Sequence, residues 1–204
     1  KDQQDAITIA EKIGYPIMIK ASAGGGGKGM RIAHNTPSLV SSLQTAQAEA
    51  EAAFSSGEVY IEKYIDDARH IEIQVLADHY GEIIIPGERE CSIQRRYQKV
   101  IEETPSVFLK PETREKMFET SRNIVKEISY VNAGTIEFLV DEEQNFYFLE
   151  MNTRIQVEHP VTEETTGLDL VELQIYIAAG NRLPVKQQDI KVTGHSMQAR
   201  LYAE

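Results

Sequence analysis

With 204 residues, 41% hydrophobic and 26% charged, the chain can bury a sizeable core as one or two globular domains. A formal net charge of −11 argues against nucleic acid or an anionic membrane as the main partner, while 21 lysines and arginines leave room for a local anion site. A single cysteine, Cys91, excludes a disulfide framework and a thiolate metal site and makes a reducing cytoplasm the default setting. No apolar run approaches the roughly 20 residues that span a bilayer, and no signal-peptide core opens the chain.

Ala6, Ile9, Ala10 and Ile13 recur at helical spacing before Gly14, so residues 2–13 read as an amphipathic helix ended by Tyr15-Pro16. Residues 17–20 form a strand with Lys20 at its exit, and 30–33 form another. The five glycines at 24–27 and 29 leave backbone N–H groups bare, and such concavities favour phosphate. Their spacing fits neither a P-loop nor a dinucleotide fingerprint, because a strand follows rather than a helix. A flexible linker is the alternative, against which Lys20 and Lys28 stand at both edges. Thr36 as N-cap with Pro37 at N1 opens a long helix through Phe54, stopped at Ser56-Gly57. Residues 59–65 read as a strand and 66–69 as a turn, a candidate hinge that closes a small α/β lobe, 1–65, with a movable glycine loop.

Beyond it, Ile71, Ile73 and Val75 alternate with His70, Glu72 and Gln74, a half-buried strand with a polar face. Its partner, 82–90, is broken by Pro86-Gly87. The run 91–100 carries Arg95, Arg96 and Lys99, and reads either as a solvated loop or, between two polar-faced strands, as an anion-binding loop. Residues 112–129 form a structural helix. Two further strands, 134–140 and 146–149, are joined by the polar segment 141–145 as a hairpin. A turn centred between Glu143 and Gln144 sets Val140 against Tyr147, Phe138 against Leu149, Ile136 against Met151, and Glu137 directly across from Glu150. Their Cβ atoms would lie about 4.5–5.5 Å apart. Two carboxylates so close repel unless a proton or cation lies between them. With Asn152 on the same pleat, the oxygen set suits Mg²⁺ or Mn²⁺ completed by phosphates and water. Solvated glutamates on an exposed face are the alternative. A helix over 168–179 closed by Gly180 follows, and 197–204 alternate like a strand carrying Arg200.

Lys20 with the glycine loop, Glu62-Lys63-Tyr64, Arg69-His70-Ile71-Glu72, Cys91-Ser92-Ile93-Gln94-Arg95-Arg96, Glu137-Phe138 and the run from Glu150 through Asn152-Thr153-Arg154-Ile155-Gln156-Val157-Glu158-His159-Pro160 to Glu163 resemble biotin carboxylase, of the ATP-grasp superfamily, over nearly the whole chain. The resemblance implies an α+β ATP-grasp fold: a small α/β lid lobe (1–65) and a larger antiparallel-sheet lobe flanked by helices (66–204). It implies a ligase in which ATP phosphorylates bicarbonate to carboxyphosphate, whose CO₂ is captured by biotin on a carrier protein or domain. By the same resemblance, Lys20 holds ATP phosphates under the backbone of Gly26 and Gly27. Glu62, Lys63 and Ile65 meet the adenine, and His70 with Gln94 the ribose. Glu137, Glu150 and Asn152 carry the metal, while Lys99, Arg154, Gln156 and the Val157 backbone surround bicarbonate. Glu158 is the base, and Arg200 stabilises the enolate of biotin. A planar anion suits a guanidinium fork, and phosphoryl transfer needs cations on spreading charge.

Two departures stand out. Tyr97 replaces a histidine common in the pattern, and the family's preceding domain, with a further ATP-binding lysine, and its C-terminal domain are missing. The start without methionine also reads as a fragment, one expected to bind nucleotide weakly and turn over poorly. A carboxyltransferase partner, a parent compatible with a homodimer, and a cytoplasmic location, or a mitochondrial matrix in a eukaryote, belong to the same expectation. The acceptor, an acyl-CoA, pyruvate or urea, is left open. Rival readings are a carbamoyl-phosphate synthetase-like ligase and a non-catalytic nucleotide-binding module.

Overall fold

A strand as apolar as Ile17-Met18-Ile19 needs cover on both faces. The computed structural model describes residues 3–23 and 30–202. They fall into two compact units, one within Lys1–Asp66 that also takes in Arg96–Gln98, the other comprising Asp67–Arg95 and Lys99–Glu204. In the first unit, α1 (Gln3–Ile13), β1 (Ile17–Ala21), β2 (Arg31–Ala33), α2 (Thr36–Phe54) and β3 (Val59–Lys63) follow in order, and the strands form an antiparallel sheet ordered β2-β1-β3. Ala10, Ile17, Ile19, Leu39, Leu43 and Ala46 close its core. The α2 cap lies one residue earlier than expected. Asn35 holds the N-cap, its Oδ1 accepting from Ser38 N at 2.9 Å while Asn35 N donates to Ser38 Oγ at 3.1 Å. This reciprocal box satisfies donors that a helix start leaves orphaned.

The second unit is built on a six-stranded sheet, formed by β4 (Arg69–Ala77), β5 (Ile83–Arg95), β6 (Gln98–Thr104), β7 (Asn132–Val140), β8 (Phe146–Asn152) and β9 (Ser196–Ala199) in the order β8-β7-β4-β5-β6-β9. Helix α3 (Pro111–Glu127) lays Met117 and Val125 against Ile71, Ile73, Val75, Ile136 and Phe138. Helix α4 (His159–Thr166) packs on β5 and β9, and α5 (Leu170–Ala178) on β7, where Leu170, Leu173 and Ile177 meet Leu76, Ile84 and Ala133. The sheet is therefore covered on both sides. That corrects the reading of β4: its polar face is not in solvent, for Glu72 and Gln74 are as buried as Ile71 and Ile73.

Three more expectations change. Strand β5 is not broken at Pro86-Gly87. The register slips by one between Gln74 and Leu76, so Ile85 and Pro86 together oppose Val75, and the bulge accommodates a residue with no N–H to give. The cationic run is not a loop but the end of β5, a tight turn with Arg96 and Tyr97 both left-handed (φ 52° and 63°), and the start of β6. Such paired left-handed residues match the twist of a two-residue hairpin. Helix α4 had no counterpart in the sequence reading.

In the β7–β8 hairpin, Asp141 N donates to Asn145 O at 3.0 Å around a three-residue loop with Gln144 at φ 70°, so the first pairs are Val140 with Phe146, Leu139 with Tyr147 and Phe138 with Phe148. The expected pairing fails there. One extra residue, Leu149, then bulges, and beyond it Glu137 faces Glu150 and Ile136 faces Met151 as the spacing predicted. Among the described residues, no helix is long and apolar enough to cross a membrane.

Asp78, just past β4, shows how loops of this unit are tied. Its Oδ1 accepts from Tyr80 N (2.8 Å) and Glu82 N (3.0 Å), and its Oδ2 from Leu183 N (3.0 Å), over a hundred residues away. Asp78→Ala would strand those donors, so chemical denaturation should show a loss of about 2–3 kcal/mol. A loss under about 0.5 kcal/mol would mean water replaces the carboxylate.

Candidate active site

The polar face of β4 and its neighbours gathers buried charge. Arg89 of β5 has no exposed surface, and its guanidinium is fully engaged. Nε donates to Glu72 Oε2 (3.2 Å), Nη1 to Gln74 Oε1 (2.6 Å) and Thr162 Oγ1 (3.2 Å), and Nη2 to Thr135 Oγ1 (3.1 Å) and Gln156 Oε1 (3.3 Å). It thus ties β4, β7, α4 and the segment after β8 together. Burial draws its pKa down from the ordinary value, yet a guanidinium so bonded keeps its charge.

Lys99 is the second cation of the cluster. Its Nζ donates to Glu158 Oε1 (2.8 Å), to Glu137 Oε1 (3.0 Å) and, more closely still, to Glu72 Oε1. Arg200, one residue past β9, is the third: Nε donates to Glu102 Oε1 (2.6 Å) and Nη2 to Glu158 Oε2 (3.0 Å). Glu158, 2% exposed, is therefore clasped by a cation on each oxygen. Burial pushes its carboxyl up, but Lys99, with Arg89 nearby, outweighs burial and holds it below the usual glutamate value. Arg200 is drawn down by burial, but Glu102 and Glu158 outweigh that and hold it above the ordinary arginine value.

Glu137, 4% exposed, accepts on Oε1 from Lys99, from Asn152 Nδ2 (2.8 Å) and from Gln156 Nε2 (2.8 Å), while His70 Nε2 lies 2.9 Å from its Oε2. Burial works against its charge, and His70 with Lys99 prevails, lowering its pKa to about 2. His70 Nδ1 in turn meets Gln94 Nε2 at 3.0 Å, so these two expected ribose residues adjoin each other.

Ligand atoms of His70, Glu72 and Glu137 lie within 4.8 Å of one another, as do those of Glu72, Cys91 and Glu158. The second group does not suit a thiolate metal site. Burial pushes the Cys91 thiol well above its ordinary value, and Glu72 and Glu158 are already bonded to Arg89 and Lys99. Of the expected metal residues, Glu137 is likewise engaged, by Lys99, Asn152, Gln156 and His70. Glu137 and Glu150 are register partners and Asn152 stands two residues on, an oxygen set proper to a hard divalent ion.

The other expected residues fall as follows. Arg154 is exposed on the segment after β8, and among the described residues its guanidinium donates to Ile155 O (3.1 Å) and Asn152 Oδ1 (3.4 Å). The Val157 carbonyl accepts from Gln198 Nε2 at 3.4 Å. In the first unit Lys20 pairs with Glu62 at 2.5 Å across β1 and β3, and Ile65 lies just past β3. The Lys63 ammonium donates to the carbonyls of Gly14 (2.9 Å) and Tyr15 (3.2 Å) after α1. Gly26 and Gly27 lie outside the described residues. Sequence reasoning missed Arg89, Glu102, Gln74 and Thr135. Of these only Gln74 carried a pattern, continuing the polar alternation of His70 and Glu72.

A family model described as carbamoyl-phosphate synthase L chain, ATP binding domain, matches residues 1–186, and the chain belongs to this family of ATP-grasp ligase domains. It is 56% identical over 204 residues to the propionyl-CoA carboxylase alpha chain of Mus musculus, all of this chain and 28% of that one. It is 55% identical over 203 residues to biotin carboxylase 2 of Bacillus subtilis, again all of this chain and 46% of the other. The crystal structure of the biotin carboxylase domain dimer of Hydrogenobacter thermophilus 2-oxoglutarate carboxylase, with MgADP, ADP and bicarbonate, matches at TM-score 0.95 and 54% identity over 98% of this chain and 44% of that one. Within the family, the kin of this chain are thus biotin carboxylases and the biotin carboxylase parts of larger carboxylases. The chain spans about a quarter to a half of the length of these relatives.

Proposed function

We propose that this domain carries out the ATP-dependent carboxylation of biotin with bicarbonate through carboxyphosphate. The observation that supports it best is Glu158, an ionised carboxylate with Lys99 at one oxygen and Arg200 at the other. A base that must take a proton from an anion needs neighbouring cations to hold that anion and to carry charge while bonds change. Lys99, Arg154, Gln156 and the Val157 backbone would hold bicarbonate, with Arg154 offering its exposed fork. Glu158 would take the bicarbonate proton on an oxygen that Lys99 or Arg200 now holds, so one of the two cations would first shift away. Arg200 would then face the enolate of biotin. Glu137, Glu150 and Asn152 would hold Mg²⁺ or Mn²⁺, which when bound neutralises phosphate charge. Lys20, Gly26, Gly27, Glu62, Lys63, Ile65, His70 and Gln94 would keep the nucleotide roles that the family resemblance implies. Biotin would arrive on a carrier protein or domain, and a carboxyltransferase would pass the carboxyl group to its final acceptor.

The test is ATP turnover by the full-length parent. Hydrolysis should require bicarbonate and rise on adding free biotin. Turnover that biotin leaves untouched would point to a carbamoyl-phosphate synthetase-like ligase, and none at all to a binding module.

A further inference from the structure

Arg200 is held by two carboxylates of different standing. Glu158 shares its other oxygen with Lys99, so it has a second cation in hand. Glu102 has none. It has no exposed surface, its Oε1 accepts from Arg200 Nε at 2.6 Å, and its Oε2 is buried without a hydrogen-bond partner. Strand pairing explains the contact. Glu102 pairs with Gln198, and Arg200 N donates to Val100 O at 2.9 Å just past β9, so Glu102 and Arg200 are diagonal neighbours along one pleat. A buried carboxylate with one cationic partner cannot release it without leaving a bare charge away from water.

We propose that Glu102 is the positioning residue of the site, fixing Arg200 through its Nε edge so that the Nη edge is left to serve biotin. This rests on the reading of Arg200 as a biotin contact. When Glu158 takes a proton, its pull on Nη2 weakens. The Glu102 contact does not weaken with it, so the guanidinium keeps its place and presents its freed edge to the ureido oxygen instead of swinging into solvent. Two carboxylates thus divide the work on one arginine, one holding and one letting go.

The experiment is biotin-stimulated ATP turnover in the full-length parent with Glu102→Gln, Arg200→Lys and both together. Glu102→Gln keeps shape and one acceptor but removes the charge. It should lower kcat about 10–100-fold with KM for ATP held within about twofold, a split that a general loss of fold would not produce. In the Arg200→Lys background the same change should cost less than about twofold, because its effect passes through Arg200. Equal effects in both backgrounds, or a single-variant loss below twofold, overturn the proposal. If thermal melting shows Glu102→Gln to be unfolded, Glu102→Asp, which keeps the buried charge one methylene further back, serves in the same cycle. A parent without biotin stimulation before any substitution defeats the functional reading. A stimulated parent indifferent to Glu102 defeats the positioning role alone.

Discussion

Replacing Glu158 by Gln is expected to lower biotin carboxylation by roughly 10²–10⁴-fold, the range that a positioned general base contributes, while KM for ATP stays close to that of the parent. The fold should survive. Lys99 keeps Glu72 and Glu137, and Arg200 keeps Glu102, so neither cation is stranded. Steady-state kinetics in the full-length parent, with bicarbonate saturating, isolates the chemical step. Turnover within about tenfold of the parent would show that the proton leaves by another route, with Glu158 serving only to hold Lys99 and Arg200.

The largest effect on stability is expected at Arg89. Arg89→Met fills much of the same volume with an apolar stem but abandons Glu72, Gln74, Thr135, Thr162 and Gln156 in a site that water does not reach. Breaking a buried ion pair from one side typically costs about 3–5 kcal/mol, and urea titration of the variant should read a loss in that range. A loss below about 1 kcal/mol would mean that the surrounding side chains reorganise around a neutral residue. Gln156 would also lose the bond that aims its amide at Glu137, so a weakened bicarbonate response should accompany the lost stability.

What could be read in advance was local. The acidic pair at 137 and 150 followed from two apolar runs and a polar turn, because hairpin register is set by spacing over a few residues. Each strand of the first unit likewise came from an apolar run between breakers. What could not be read depends on partners far along the chain. Strand β4 alternates as a solvent-facing strand does, and Glu72 and Gln74 are buried by partners further along the chain, Arg89 and Lys99 on the first and Arg89 and the Gly134 carbonyl on the second, while α4 closes over β5 and β9. That helix starts at His159-Pro160, and its buried residues, Val161, Thr162 and Thr165, include one apolar side chain, too few for a periodic signal. Arg89 lay in a run that seemed interrupted by Pro86-Gly87, and the bulge that repairs the interruption is a property of the pairing with β4. Glu102 and Arg200 meet only because β9 returns to the edge of β6.

The extra residue at Leu149 has a further effect. In an unbroken strand Phe146, Phe148, Glu150 and Asn152 would all point the same way, and aromatic rings would crowd the carboxylate. The dislocation flips the phase partway along. Phe146 and Phe148 turn their rings edge-on to Phe138, the first packed against the core and the second exposed, while Glu150 and Asn152 come round to the side of Glu137. A seven-residue strand is thereby split into a greasy half and an ionic half.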